Sequence, residues 1–269
     1  MIGRTDEKPY NPIPWHGCPR DLTGGDLQLG PYTRELTQRY VCGTRFATWD
    51  AKVFRYSRTL TASTTVASKG AFNRCGVVNM ALTGTHAVVA GDRSHVVTLD
   101  ADSGFGGGGI AENELIGGTI TVGHAEGNEQ TRTIMGNTVS AVSLPTTLLL
   151  DYPWDTTLTD TTAFTEITLN AYNHVSYASS NYAACVGVAV RDTTALQYAW
   201  LQTYGPCYMT GTGSTSNAIF QRDAYVVGDG SVRDGSEITI EDGYQRIGYV
   251  LDESTLSTAM PIVFLQISI

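Results

Sequence analysis

Short apolar runs separated by turn-forming residues are the dominant pattern after residue 40. The runs Thr44–Trp49 and Val53–Ser57 alternate around the polar triplet Asp50–Lys52, which predicts a β-hairpin. Comparable runs rich in Val, Ile, Thr and Leu follow at 86–90, 95–99, 118–122, 131–135, 141–144, 147–150, 184–190, 198–203, 225–227, 237–240, 247–251 and 261–267. Strands this short, separated this regularly by turns, predict a β-sandwich or a barrel.

Helical periodicity is weak along the whole chain. No stretch longer than about a dozen residues repeats its apolar positions with the period of a helix, and one short helix is expected near 71–80. The 29 glycines and the abundance of Thr and Val also favour strands and turns. The predicted fold class is therefore mainly β, with an antiparallel β-sandwich or barrel body.

Residues 1–40 differ from the rest in composition. Five of the nine prolines lie here, and proline removes a backbone donor and favours extended geometry in the residue before it. The segment also carries the apolar residues Tyr10, Trp15, Leu22, Leu27, Leu29 and Tyr32. We interpret 1–40 as an extended N-terminal arm that packs on its own domain or on a neighbouring subunit. The body, 41–269, is either one domain or two small β subdomains that divide near 101–117 or 153–183.

Charge and hydropathy exclude several classes of partner. The net charge is −9, and the 17 basic residues are scattered, so no electrostatic footprint for nucleic acid is present. The longest apolar runs are too short to span a bilayer, and the first ten residues are too charged for a signal peptide. We expect a soluble protein made in a cytoplasm, with neither nucleic acid nor membrane as a partner.

The five cysteines do not form a recognisable framework. They are widely spaced and include no Cys-x-x-Cys pair, at Cys18, Cys42, Cys75, Cys185 and Cys207. A disulfide scaffold or a zinc site requires closer or paired spacing. We therefore expect reduced, structural thiols.

Three polar segments invite a reading as ligand sites. The glycine run 106–109 lacks the Lys and the Ser or Thr of a phosphate loop, and Asp100–Gly104 lacks the later glycine and carboxylate of a calcium loop. The segment His124–Glu129 contains a single histidine and Gly127, and Gly123 precedes it, so it reads as a turn between strands and not as a zinc helix. All three are interpreted as loops.

The segment Asp151–Asp155 has the composition of a sugar-binding loop, because two carboxylates flank Tyr-Pro-Trp. A turn anchored by Trp154 is the simpler interpretation, since one local acid pair does not define a catalytic separation. No Gly-x-Ser-x-Gly elbow occurs, and the five histidines lie in unrelated contexts. The sequence therefore predicts no enzyme, no catalytic residue, no cofactor, no metal and no small-molecule substrate.

Taken together, four stretches resemble structural proteins of tailed-bacteriophage particles. They are Gly43–Ser57, then 116–134 with 148–153, then 185–190 with 198–206, and finally 246–251 with 262–267. The resemblance is to capsid decoration, or cement, proteins, and covers about half of the chain. It implies a non-enzymatic subunit on the outer capsid surface of the virion, with the major capsid protein and copies of itself as partners and a homotrimer as its assembly.

The arm supplies the candidate contacts for such a role. Large apolar side chains on an extended segment can anchor it to a neighbour, and the expected partner-binding residues are Tyr10, Trp15, Leu22, Leu27 and Tyr32. Two alternatives stay open. One is a tail, baseplate or head-fibre protein. The other is a glycan-binding module whose platform would consist of Tyr152, Trp154, Tyr198, Trp200 and Tyr204.

Overall fold

The computed structural model describes residues 31–48, 50–59, 63–73, 87–98, 109–124, 129–141, 144–159, 163–177, 183–212, 222–235, 244–252 and 261–267. These residues fall into two compact units. The first unit contains the described residues before Gly76 and from Tyr172 onward, and the second contains those between Val77 and Ala171. Both units are built from strands, and no helix occurs in the described ranges.

Strands occur throughout both units. In chain order they are β1 (Arg34–Glu35), β2 (Arg45–Ala47), β3 (Val53–Thr59), β4 (Gly70–Asn73), β5 (Ser94–Thr98), β6 (Thr119–His124), β7 (Gln130–Asn137), β8 (Pro145–Leu150), β9 (Ala163–Thr168), β10 (Asn173–Ser176), β11 (Cys185–Ala189), β12 (Tyr198–Tyr208), β13 (Asp223–Val226), β14 (Val232–Asp234), β15 (Gln245–Asp252) and β16 (Ile262–Gln266). The chain is therefore mainly β, as the sequence predicts.

The first unit holds an 11-stranded sheet in which part of the strand pairing closes on itself. The path β12-β11-β4-β10-β3 returns to β12, because β3 also pairs with β12 over Tyr198–Tyr204. Within this ring only the pairing of β10 with β3 is parallel. Closure leaves no unpaired strand edge within the ring, which removes the aggregation risk that an open edge carries.

Strand β12 is the longest of the described strands and pairs with four other strands of the first unit. It pairs with β1 at 198–199, with β11 at 201–202 and with β16 at 204–208. Its aromatic side chains pack with those of the hairpin: Tyr56 stacks on Tyr198 at 5.7 Å between ring centroids, and Trp200 meets Tyr56 at 5.1 Å. A second apolar cluster, centred on Val188, Ile247 and Leu265, is fully buried.

The second unit is a five-stranded sheet in the order β5-β8-β7-β6-β9, and every pairing in it is antiparallel. One face is buried and contains His95, Val97, Ile120, Val122, Ile134, Thr146, Leu148, Leu150, Thr165 and Ile167. Because side chains alternate between faces along a strand, the residues between these point to the other face.

Several local predictions are confirmed. The hairpin forms with Phe46 opposite Phe54, and the predicted strands at 118–122 and 131–135 pair with each other as β6 and β7. The predicted turn after His124 lies outside the described residues at 125–128. The helix expected near 71–80 is wrong where the structure describes it. Ala71 and Phe72 are buried in β4 between β10 and β11, and strand pairing outweighs their weak local helical preference. The remainder of that segment lies outside the described residues.

The run at 86–90 does not form a ladder where it is described. Only Val88 pairs, in an isolated bridge with Leu158. The predicted strand at 237–240 and the glycine run 106–108 lie outside the described residues, as do Asp100–Gly104, Cys18 and Cys75.

Candidate interaction surfaces

The described end of the predicted arm packs on its own chain. Strand β1 pairs with β12, with Arg34 opposite Ala199 and Glu35 opposite Tyr198. The ring of Tyr32 meets Phe54 edge-on at 6.2 Å, although 51% of Tyr32 remains exposed. Of the predicted partner-binding residues, Tyr32 thus lies at the surface beside the ring of strands. The others, Tyr10, Trp15, Leu22 and Leu27, lie outside the described residues.

Tyr32 also borders a surface groove of the first unit with a volume of about 880 Å³. Three segments form its walls, and the lining residues are Tyr32, Thr33, Arg34, Ala67, Val190, Arg191 and Asp192. We call it the arginine groove. No pattern in the sequence indicates this groove, because the segment 190–192 lies more than a hundred residues from the other two segments that line it.

A buried threonine pair holds two walls of the arginine groove together. The hydroxyl oxygens of Thr65 and Thr193 lie 2.7 Å apart, and the two residues exchange backbone hydrogen bonds in both directions. Next to them, the Ala67 N–H donates to Oδ1 of Asp192 at 2.7 Å. Both threonines are buried and hydrogen-bonded to each other through side chain and backbone. The backbone of Arg191 and Asp192, which directly precede Thr193, is therefore held in place.

Hydrogen bonds from two arginines join the segment 32–34 to the segment 190–192. Nη1 of Arg34 donates to the backbone oxygen of Asp192 at 3.1 Å, and Nε of Arg191 donates to the backbone oxygen of Tyr32 at 2.8 Å. A guanidinium has five N–H donors, so one bond to a carbonyl leaves most of the fork available. The reciprocal bonds fix the two side chains and also leave donors for a ligand.

The second unit presents a different surface, the outward-facing side of its sheet. We call it the outer face and define it by Ser94, Val96 and Thr98 on β5; Pro145, Thr147 and Leu149 on β8; Thr131, Thr133 and Met135 on β7; Thr119 and Thr121 on β6; and Glu166 and Thr168 on β9. Only Glu166 among these residues is charged. On a chain with a net charge of −9, this face is unusually neutral.

Apolar side chains lie side by side on three strands of the outer face. Val96, Leu149 and Met135 are 55%, 56% and 58% exposed. Val96 pairs with Thr147 and lies diagonally from Leu149, which faces Gly136 on the next strand, beside Met135. Neighbouring exposed apolar side chains on one face of a sheet are typical of a protein interaction surface.

A rigid loop follows β8 in the same unit. Oε1 of Gln130 accepts hydrogen bonds from the backbone N–H groups of Asp155 and Thr156. Arg132 donates to the backbone oxygen of Pro153 at 2.9 Å and to the Asp155 carboxylate at 2.7 Å. These contacts from β7 make Asp155 part of the loop's framework.

Asp151 begins the same loop and stabilises it through its carboxylate. Burial favours a higher pKa for Asp151, but the backbone N–H groups of Thr133 and Tyr152 donate to Oδ1 and bring the pKa below its usual value. Trp154 is buried, with Arg132 above its ring and His95 at its edge. The interpretation of this segment as a turn anchored by Trp154 is thereby confirmed.

The aromatic residues considered for a sugar platform have very different environments. Trp154, Tyr198 and Trp200 are buried, so their ring faces are closed to a ligand in solvent. Tyr152 is exposed, but it lies in the second unit, whereas Tyr204 lies in the first and packs edge-on against Phe264. The structure does not bring these five residues together as one exposed stacking surface within either unit.

The described cysteines are buried and free, as expected for structural thiols. Burial raises the pKa of Cys42, Cys185 and Cys207 to about 12, which keeps them as uncharged thiols near neutral pH. Across the described ranges, no group of three or more His, Cys, Asp or Glu residues is arranged to hold a metal ion. Nor does that part of the chain contain a helix with the length and hydropathy to cross a bilayer.

The sequence did contain one signal for the outer face. The run Leu148-Leu149-Leu150 in β8 and the pair Val96-Val97 in β5 put apolar residues on consecutive positions. Consecutive apolar residues in a strand indicate that both faces are covered, and here one face is exposed. Comparisons with protein-family models, curated proteins and solved structures gave no match for this chain.

Proposed function

We propose that this protein is a non-enzymatic structural subunit of a tailed-bacteriophage particle that decorates the outer capsid surface. In this proposal the β-sandwich or barrel body sits on the head, and the Pro-rich segment 1–40 acts as an extended arm. The partners are the major capsid protein and copies of the chain itself, assembled as a homotrimer. The resemblance of the four sequence stretches supplies the particle context.

The outer face of the second unit carries the proposal structurally. A subunit that joins a shell must cover its neighbours over a broad area, and this surface is one face of a five-stranded sheet with exposed apolar side chains at Val96, Met135 and Leu149. Its surroundings are threonines, which can be desolvated at far lower cost than charges. The fixed loop that exposes Tyr152 follows β8 directly and adds an aromatic side chain of the type enriched in interfaces.

The first experiment combines the purified full chain with capsids that lack it, followed by cosedimentation and cryo-electron microscopy. Ordered density at defined positions on the head is the expected result. Density confined to the tail, baseplate or head fibres would replace the capsid proposal with the corresponding alternative. Absence from the particle would reject the structural role altogether.

A pair of variants tests whether the outer face makes the contact. Leu149→Asp places a charge in the centre of the apolar patch, and we expect capsid occupancy to fall at least about tenfold. Leu36→Asp is the matched control, because Leu36 is even more exposed but lies in the first unit. Equal occupancy for both variants would show that the outer face does not bind the capsid.

A further inference from the structure

We infer that the arginine groove of the first unit is a binding site for an extended acidic peptide segment of a partner protein. This inference goes beyond the proposed capsid contact, which rests on a different surface of the second unit. It starts from the charge state of two side chains. Arg34 and Arg191 both line the groove, and each donates a hydrogen bond to a neutral backbone carbonyl.

Three other arginines pair with carboxylates among the described residues. Arg39 pairs with Glu35 at 2.6 Å, Arg132 with Asp155 at 2.7 Å and Arg246 with Asp223 at 2.7 Å. Arg34 and Arg191 have no carboxylate within salt-bridge distance among the described residues. Two guanidinium groups with no carboxylate partner in the described part of the chain make a local positive site, and its natural complement is an anion.

Asp192 is the one acidic residue that lines the groove. Its Oδ1 accepts a hydrogen bond from the Ala67 N–H, which holds the carboxylate against the wall. The groove therefore has two positive groups and one negative group. Its net charge is positive, and replacing Asp192 by a neutral residue would make it more positive.

The shape and lining of the groove favour a peptide over a small ion. A planar guanidinium fork binds a carboxylate through two parallel hydrogen bonds, and two forks can bind two carboxylates of one ligand. The groove is also lined by the half-exposed ring of Tyr32 and the side chains of Ala67 and Val190, which offer apolar contact that a small ion cannot use. Acidic side chains interspersed with an aliphatic residue on an extended chain satisfy both kinds of contact.

The site is also preorganised, which reduces the entropy lost on binding. The Thr65–Thr193 pair fixes one base, and the reciprocal bonds of Arg34 and Arg191 fix the segment at Tyr32. A ligand then meets donors that are already positioned. Surface arginines on mobile loops would lose this advantage.

The test uses the full chain and a fluorescein-labelled peptide, Glu-Val-Glu-Val-Glu-Val, titrated by fluorescence anisotropy at low salt. The control peptide replaces each Glu by Gln. We expect saturable binding of the acidic peptide and at least about tenfold weaker binding of the Gln peptide, because charge-assisted hydrogen bonds are lost. Arg34→Gln and Arg191→Gln should each weaken binding about tenfold, whereas Arg93→Gln, an exposed arginine of the second unit, should not.

A variant that is expected to bind the peptide more tightly separates a specific effect from misfolding, because a misfolded variant would lose affinity. Asp192→Asn keeps an oxygen that can accept from the Ala67 N–H and removes the negative charge, so peptide affinity should rise about threefold. Equal binding of both peptides, or no effect of Arg34, Arg191 and Asp192 substitutions, would overturn the inference. Saturation by inorganic phosphate without binding of the peptide would also overturn it, because it would identify a small-anion site.

Discussion

Two neighbouring leucines of β8 provide the sharpest test of the second unit. Leu148 is 0% exposed on the buried face, and Leu149 is 56% exposed on the outer face. They have the same side chain in the same strand, one peptide bond apart. Replacing each by alanine therefore isolates the effect of burial from that of strand propensity.

The expected magnitudes differ several-fold. Leu148→Ala removes a fully buried side chain and leaves a cavity, which costs about 3 kcal/mol of unfolding free energy. Leu149→Ala removes a side chain that is less than half buried and leaves no cavity, so only a part of the area term is lost, about 0.5 kcal/mol. The difference of about 2.5 kcal/mol exceeds the error of a denaturation experiment.

Urea unfolding of the full chain, followed by circular dichroism and by tryptophan fluorescence, measures both costs. Buried Trp154 makes fluorescence sensitive to the second unit. We expect the unfolding midpoint of Leu148→Ala to fall by about 1 M or more, with that of Leu149→Ala nearly unchanged. Equal losses for the two variants would refute the register of β8 or the exposure of the outer face.

Three further predictions concern the backbone, alkaline pH and acid pH. Ala51 has φ +62° in the turn between β2 and β3, so Ala51→Gly should raise the unfolding free energy by about 1 kcal/mol, measured by urea unfolding; a loss would contradict the assigned turn. The raised pKa values of Cys42, Cys185 and Cys207 mean that unfolded thiols ionise before folded ones. Stability should therefore fall between pH 9 and about 12 by about 1.4 kcal/mol per pH unit for each thiol, and substituting all three by Ala should flatten that slope. The lowered pKa of Asp151 contributes stability that is present above its unfolded pKa and lost as the pH falls through its folded pKa; urea midpoints between pH 7 and 3 should depend less on pH in Asp151→Asn, and an unchanged dependence would exclude this carboxylate as a cause.

Local patterns in the sequence were sufficient to predict the class of the fold and many of its strands. The hairpin of β2 and β3, the pair β6 and β7 and the strands β12 and β16 all lie where alternation and turn residues predict them. Alternation is a local property, since successive side chains of a strand point to opposite faces wherever the strand is placed. Strand β9 was not predicted, although buried Thr165 and Ile167 alternate with exposed Glu166 and Thr168.

The tertiary structure alone decided the surfaces. A run of three leucines cannot reveal which leucine faces solvent, and only packing of the second unit placed Leu148 and Leu150 inside and Leu149 outside. The ring of strands depends on pairings such as that of β3 with β12, whose residues lie far apart in the chain. The arginine groove likewise requires three separated segments to meet. Sequence patterns within a strand carry no record of such distant partners, because strand pairing and the groove arise only when the whole chain folds.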